Sequence, residues 1–270
     1  VRRFSAEYLE FTREGMWADG REALADLSLP DRERVLDVGC GTGEFTRVLA
    51  EEAGPDATVI GVDADADLLA VAREETSAPA SYAAGDATRL PVRDDGVDLA
   101  TCQALLINLP EPADAVRELA RVSADLVTAV EPNNAEVAVS STVEAESDLE
   151  REAREAYLAG VGTDVALGDR VESLFADAGL VDVRTRRYLH EKRTAPPYAE
   201  PALESAARKA SGAGLDDHRT ELREVLSPAA YDDLRRRWRE MGRDVVAAMR
   251  DGEYERVELV PFEVTVGRVR

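Results

Sequence analysis

The chain is poor in the residues that would staple it, metallate it or anchor it in a membrane. Only two cysteines occur, Cys40 and Cys102, and neither belongs to a CxxC pair. That excludes a disulfide framework and sets a reduced, cytoplasmic compartment as the expectation. Histidine is limited to His190 and His218, without HxxxH spacing or a Cys/His cluster, so no metal site is expected. No stretch approaches the roughly 20 apolar residues that a membrane helix needs. The opening Val1-Arg2-Arg3-Phe4-Ser5 leads into a polar amphipathic segment without an apolar run, so no signal peptide is expected. Lysine is almost missing: of 33 basic residues, only Lys192 and Lys209 are not arginine.

Acid is abundant instead. Fifty-five Asp and Glu leave a net charge of −22. An acidic partner surface and adaptation to a high-salt cytosol, where screening tames self-repulsion, both produce such a balance. The acids are spread along the chain rather than gathered in one tail, which favours the halophilic origin. Either way, binding to nucleic-acid phosphate is disfavoured. A hydrophobic fraction of 44% over 270 residues is normal for a folded protein, and the length suits one large α/β domain with a substantial insertion.

The pattern from residue 34 onward alternates short β-rich runs with helical ones. Strands are expected at 34–38, 58–62, 81–84, 97–102 and 126–130, with helices at 44–53, 65–75 and 112–122. Such alternation implies a parallel sheet with right-handed crossovers. Before it, residues 5–28 read as a helix with Tyr8, Leu9, Phe11, Met16, Trp17, Leu24 and Leu27 as apolar positions. After it come helices at 144–158 and 169–178, a strand at 182–189, a break at 195–201, helices near 202–211, 216–226 and 228–250, and a final strand at 258–269. Ser227, Pro228 and Gly252 punctuate the longest of these helices. The expected division is an N-terminal helical cap over 1–30, an α/β core over 31–195, a helical insertion over 196–255 and a last core strand over 256–270. The insertion is expected to serve as a lid or a dimerisation face, the latter through a Tyr231, Leu234, Trp238, Met241 and Val245 stripe.

The densest signal is Val35-Leu36-Asp37-Val38-Gly39-Cys40-Gly41-Thr42-Gly43-Glu44-Phe45. A buried strand runs into three glycines at alternate positions and then into a helix. Glycine is needed where the chain turns sharply or a ligand touches backbone. Dinucleotide-binding turns look similar, but two details differ. The spacing is GxGxG rather than GxGxxG, and acids flank the turn at Asp37 and Glu44. A pyrophosphate needs bare N–H groups at the helix start, whereas a cationic ligand suits nearby carboxylates. A simple preference of helix starts for acids also accounts for Glu44.

Residues 35–46 resemble motif I of the class I S-adenosylmethionine-dependent methyltransferases, in particular their small-molecule, ubiquinone/menaquinone-biosynthesis-like branch (types 11 and 25). The resemblance covers residues 34–132, weakens over 169–190 and the last strand, and leaves out 197–255. It implies a doubly wound, Rossmann-like α/β fold of seven mostly parallel strands, here with a helical insertion before the last. It also implies S-adenosyl-L-methionine as cofactor, S-adenosyl-L-homocysteine as product and a small-molecule acceptor.

The resemblance assigns further positions. Asp63 ends the second strand 20 residues after Gly43, where a carboxylate can accept ribose hydroxyls; Asp65 or Asp67 supplies the alternative helix cap, and Ala64 follows Asp63. Gly85-Asp86-Ala87-Thr88 matches the family's GDA-type motif, in which the acid meets the adenine amino group and the next N–H a ring nitrogen; taken alone it is a turn. Gln103 follows the fourth strand and is a candidate cofactor contact. The expected cofactor set is therefore Asp37, Gly39, Gly41, Gly43, Asp63, Ala64, Asp86, Ala87 and Gln103. Many relatives carry Glu-His where this chain has Ile107-Asn108, which puts a general base there in doubt. Catalytic residues stay open, with Glu131 and His190 as weak candidates: Glu131-Pro132-Asn133-Asn134 is also a turn sequence, and His190 also fits a structural role. No Asn-Pro-Pro-Tyr-like loop, Pro-Cys nucleophile or paired glutamates point to a base or an arginine as acceptor. The Arg235-Arg236-Arg237 run with Arg239 reads as a solvated helix face with i,i+4 pairs. Open alternatives are an RNA or protein methyltransferase of the same fold, a non-catalytic protein that binds the same cofactor, and a nicotinamide dehydrogenase.

Overall fold

The computed structural model describes residues 6, 9, 15–18, 20–76 and 79–270. The chain forms two compact units, one of residues 1–133, 167–188 and 262–270, the other of 134–166 and 189–261.

The first unit carries the Rossmann-like alternation. Its elements are β1 (Arg34–Val38), α1 (Glu44–Glu52), β2 (Thr58–Asp63), α2 (Ala66–Glu75), β3 (Ala80–Ala84), β4 (Val97–Gln103), α3 (Pro112–Val122) and β5 (Ser123–Pro132). The five strands are parallel in the order β3-β2-β1-β4-β5. Strand order reverses between β1 and β4, and open α/β sheets bind ligands at the carboxyl ends of strands at such a switch point. The helices form because their apolar residues fall on one stripe. In α3, Pro112 sits in the first turn, and Ala115, Val116, Leu119 and Val122 are buried. They pack on Leu36, Ala100, Cys102, Val127 and Ala129 of the sheet. Each fully buried Leu, Val or Phe stabilises by about 1.5–3 kcal/mol relative to exposure. Phe175 of α5 (Val171–Asp177) and Leu180 close this core. The expected helix at 169–178 begins instead with a 3-10 turn over Leu167–Arg170.

Two long strands complete the sheet. β7 (Val181–Thr194) pairs with β8 (Arg256–Arg268), and the second half of β8 runs antiparallel to β5 with Phe262 opposite Pro132 and Arg268 opposite Leu126. The sheet has eight strands, one more than expected. The added strand is β6 (Ala138–Ser141), which pairs antiparallel with Arg256–Leu259 in the second unit. Four small residues with no β-branched run give it almost no sequence signature.

The second unit holds β6, α4 (Glu144–Gly160), α6 (Glu200–Ser211), α7 (Ala213–Asp216), α8 (Arg219–Val225) and α9 (Pro228–Asp251). It contains the expected insertion of 196–255, joined by 134–166, 189–195 and 256–261. The helix expected over 216–226 is split between α7 and α8. Ser227 caps α9 by accepting the Ala230 N–H at 3.2 Å, and Gly252 ends it at φ 72. The Tyr231, Leu234, Trp238, Met241 and Val245 stripe is buried against Leu149 and Ala153 of α4, Ala206 of α6 and Leu222 of α8. The unit's own core consumes this stripe, so it is not the free face that a dimer built on it would need.

A charged cluster is buried in the same unit. Glu146, fully buried, receives the Lys209 ammonium and the Tyr254 hydroxyl at 3.0 Å, with Arg256 alongside. Glu150 bridges Lys209 at 2.8 Å and Arg256 at 3.2 Å.

At the N-terminus, the continuous helix expected over 5–28 is not found. Tyr8 and Phe11 lie outside the described residues. Ala6 and Leu9 are helical, but residues 15–18 form a turn and Arg21–Leu27 a 3-10 helix. Ser28 in the left-handed region ends that 3-10 segment. Among the described residues no helix is long and apolar enough to cross a membrane.

Candidate functional site

The glycine turn between β1 and α1 is tied to the end of β2. The Gly39 and Cys40 N–H groups both donate to the Val62 carbonyl, at 2.7 and 3.1 Å. Gly41 N–H donates to Asp63 Oδ2 at 2.8 Å, and Gly43 N–H to the Cys40 carbonyl at 2.9 Å. Four of the turn's amides are therefore already bonded within the protein. A pyrophosphate-binding turn must do the opposite and hold its amides open for the anion. Gly39 and Gly43 adopt φ 74 and 79, which only glycine takes at no steric cost. A Cβ at Gly39 would also lie 2.7 Å from Leu105 Cδ1, and one at Gly43 would meet the Tyr82 hydroxyl.

Three acids lie at or just after the ends of the strands β1, β2 and β3. Asp37 is buried, and its Oδ2 accepts the Thr46 hydroxyl at 2.6 Å, which locks the start of α1 to β1. Asp63 is half-buried; beyond Gly41 it accepts the Asp65 N–H on Oδ1 at 2.8 Å. Each of its oxygens thus keeps a lone pair beyond the one N–H it holds. The cap of α2 is Asp65, which accepts from Asp67 and Leu68 N–H, so Asp63 is not spent as a helix cap. Ala64 is exposed between them. Asp86 is exposed and folds an Asx turn, Oδ1 accepting the Thr88 N–H at 2.8 Å and hydroxyl at 2.7 Å. These bonds hold its carboxyl below the ordinary range. Ala87 packs against the core of the first unit.

At the end of β4, Gln103 is buried. Its Oε1 accepts the Trp17 indole N–H at 3.2 Å and its Nε2 lies 3.1 Å from Met16 Sδ. Trp17 stacks on Phe45 of α1, with centroids 5.2 Å apart, and on Tyr188 at 6.2 Å. The Tyr188 hydroxyl donates to the Met16 carbonyl at 2.9 Å. Residues 16 and 17 thus fasten onto β4 and α1. Their apolar character was visible in the sequence, but their partner 86 residues away was not.

Glu131, at the end of β5, is fully buried. Its Oε1 accepts the Leu105 and Leu106 N–H groups at 3.0 and 2.9 Å, and its Oε2 the Ile107 N–H at 3.3 Å. Burial pushes its carboxyl up to about 7, against the pull of those three N–H groups. The Cys102 thiol points at the same carboxylate from 3.8 Å, and burial with this neighbouring charge raises it well above its usual range. The geometry makes Glu131 the anchor of the loop after β4, whose Leu105 lies over Gly39. His190 is buried in the second unit; burial and then Lys192 lower its pKa, so it is neutral at pH 7. Asn108 Nδ2 donates back to the Ala104 carbonyl at 2.8 Å, and Glu111 holds the N-cap position of α3.

With this geometry in place, the relatives are informative. Residues 36–130, from β1 to β5, match the methyltransferase domain family. Demethylmenaquinone methyltransferase of Staphylococcus aureus is 31% identical over 116 residues, which are 42% of this chain and 47% of that protein. The chain thus spans about half the length of the curated relatives it matches. A putative methyltransferase from Bacillus halodurans shares the fold with a TM-score of 0.55, at 17% identity over 94% of this chain and all of that one. An S-adenosylmethionine-dependent methyltransferase from Aquifex aeolicus shares it at 0.51, with 18% identity over 72% of this chain and 93% of the other. Residues 36–130 therefore match a methyltransferase domain and carry the fold of one. The matching segment is the one that carries the glycine turn, Asp63, the Asp86 turn and Gln103.

Proposed function

We propose that the protein transfers a methyl group from S-adenosyl-L-methionine to a small-molecule acceptor. The observation that carries this reading is the Gly41–Asp63 bond within a turn that has four of its amides already bonded inside the protein. Such a turn offers carboxylates and close-packed glycine backbone rather than open N–H groups, which fits a cationic nucleoside and not a pyrophosphate. In this reading Asp63 takes the ribose hydroxyls beside Ala64, and Gly39, Gly41 and Gly43 let the ligand approach the backbone. Asp37 adds negative potential from below. Asp86 and the Ala87 N–H recognise the adenine edge, with Gln103 on the cofactor side of β4.

When bound, the cofactor supplies an electrophilic methyl group for direct displacement by an acceptor nucleophile. The protein's share is positional. Glu131 holds residues 105–107, and through them the wall over Gly39, and in-line placement of the reactants is the main catalytic lever. The net charge of −22 opposes a nucleic-acid acceptor. The likeness to a demethylmenaquinone methyltransferase supports a small acceptor of the ring-bearing kind. We attribute the charge itself to a high-salt setting, in keeping with the many exposed Arg–carboxylate pairs on α9.

The test is incubation with methyl-labelled S-adenosylmethionine and a fractionated cell extract. Label in a low-molecular-weight product supports the reading. Label confined to RNA or protein, or no transfer from any fraction, overturns it.

A further inference from the structure

The arginines of α9 are not used alike. Arg235 grips Asp216 of α7 through Nε at 2.9 Å and Nη2 at 2.7 Å. Arg236 bridges Asp233 and Glu240, and Arg237 bridges Asp233 and Glu152. Arg239 and Arg243, exposed and one helical turn apart, meet no carboxylate among the described residues. Together with Asp232, Arg235 and Arg236 they line a groove of about 330 Å³. One wall is the end of α6: a Cβ on Gly212 would come within 3.1 Å of Arg239 Cγ and 3.2 Å of Arg235 Cζ.

Packing accounts for only part of this. The Arg239 stem lies over Gly212, where a cation complements the carbonyl end of α6. Arg243 sits a turn further along the same groove. Like charges at i and i+4 cost a helix a few tenths of a kcal/mol, roughly. In a chain this acidic, two guanidiniums one turn apart with no carboxylate partner among the described residues form a local basic patch.

We propose that this groove binds a compact, multivalent oxyanion, a phosphate ester or polyphosphate, between Arg239 and Arg243. Guanidinium forks match phosphate oxygens in pairs. Arg235, fixed by Asp216, also lines the groove and loses little freedom on binding. The volume suits a small phosphorylated molecule. Asp232, Asp233, Glu240 and Asp244 flank the stripe, so a long polyanion such as nucleic acid would run into carboxylates. The site is independent of the methyl-transfer reading.

The experiment is calorimetric titration of the full chain with pyrophosphate, ionic strength held constant with KCl. The expected result is saturable binding at one site, weakened at least about ten-fold in Arg239→Gln/Arg243→Gln. The charge-matched Arg250→Gln/Arg270→Gln should stay within about two-fold of the wild type, and Asp232→Asn should bind more tightly. Glycerol phosphate above inorganic phosphate in affinity would identify an ester as the source, and the reverse order free phosphate; both uphold the site. No saturable binding, equal loss in both double variants, or an oligonucleotide that outcompetes pyrophosphate per phosphate would overturn the proposal.

Discussion

Replacing Glu131 by glutamine should change the stability of the first unit in a pH-dependent way. Burial holds the Glu131 carboxyl at about 7, against an ordinary 4.5. The native chain therefore keeps this proton over a range where the unfolded chain has lost it. Stability from this group is fully present below about pH 4.5 and is lost as the pH rises through 7. Over about 2.5 pH units at ~1.36 kcal/mol each, the loss comes to about 3 kcal/mol. Glutamine does not titrate. It still offers one oxygen to Leu105 and Leu106 N–H, but turns an amide against the Ile107 N–H. That unsatisfied pair costs about 1–3 kcal/mol at every pH. The wild type should thus be the more stable at pH 5, and its advantage should shrink by about 3 kcal/mol and vanish or reverse by pH 8. Urea unfolding followed by Trp17 fluorescence in a Trp238→Phe background reads this directly. A wild-type advantage that is constant with pH, or grows as the pH rises, would refute the burial argument.

Other outcomes follow from single contacts. Gly39→Ala forces a side chain into φ 74 and onto Leu105; it should cost about 1–2 kcal/mol and weaken S-adenosylhomocysteine binding, both visible in thermal shifts with and without ligand. Lys209→Met leaves the fully buried Glu146 short of its ammonium partner; it should destabilise the second unit by about 3–5 kcal/mol, with much of that recovered in Lys209→Met/Glu146→Leu. Ser227→Ala removes the α9 cap and should cost about 1 kcal/mol by Trp238 fluorescence melts. If the acidity is a high-salt adaptation, raising KCl from about 0.2 to 3 M should raise the melting temperature, since screening within a few ångströms relieves self-repulsion; no change with salt would contradict it.

The core of the methyltransferase segment was legible because its elements obey local rules. β1 buries Val35, Leu36 and Val38, α3 a clean stripe, and the glycines of the turn sit where positive φ is required. Asp65 and Ser227 cap the helices their positions suggested. What escaped was non-local. β6 is held by β8 across more than a hundred residues, not by its own composition. The N-terminal apolar positions promised a helix, but the turn at 15–18 and the left-handed Ser28 broke it, and Trp17 found Gln103 instead. Glu131 looked like turn chemistry or a weak catalytic candidate. Its partners are three backbone N–H groups, which no side-chain pattern announces. The α9 stripe was equally readable as a dimer face until α4, α6 and α8 were seen to cover it.

Cofactor binding is the central claim, and titration calorimetry with S-adenosylhomocysteine in multimolar KCl measures it. Binding in the micromolar range that is lost in Asp63→Ala, with no heat from NADH, is the result predicted. No binding of S-adenosylhomocysteine, or a preference for NADH, would contradict it and return the glycine turn to a generic nucleotide site.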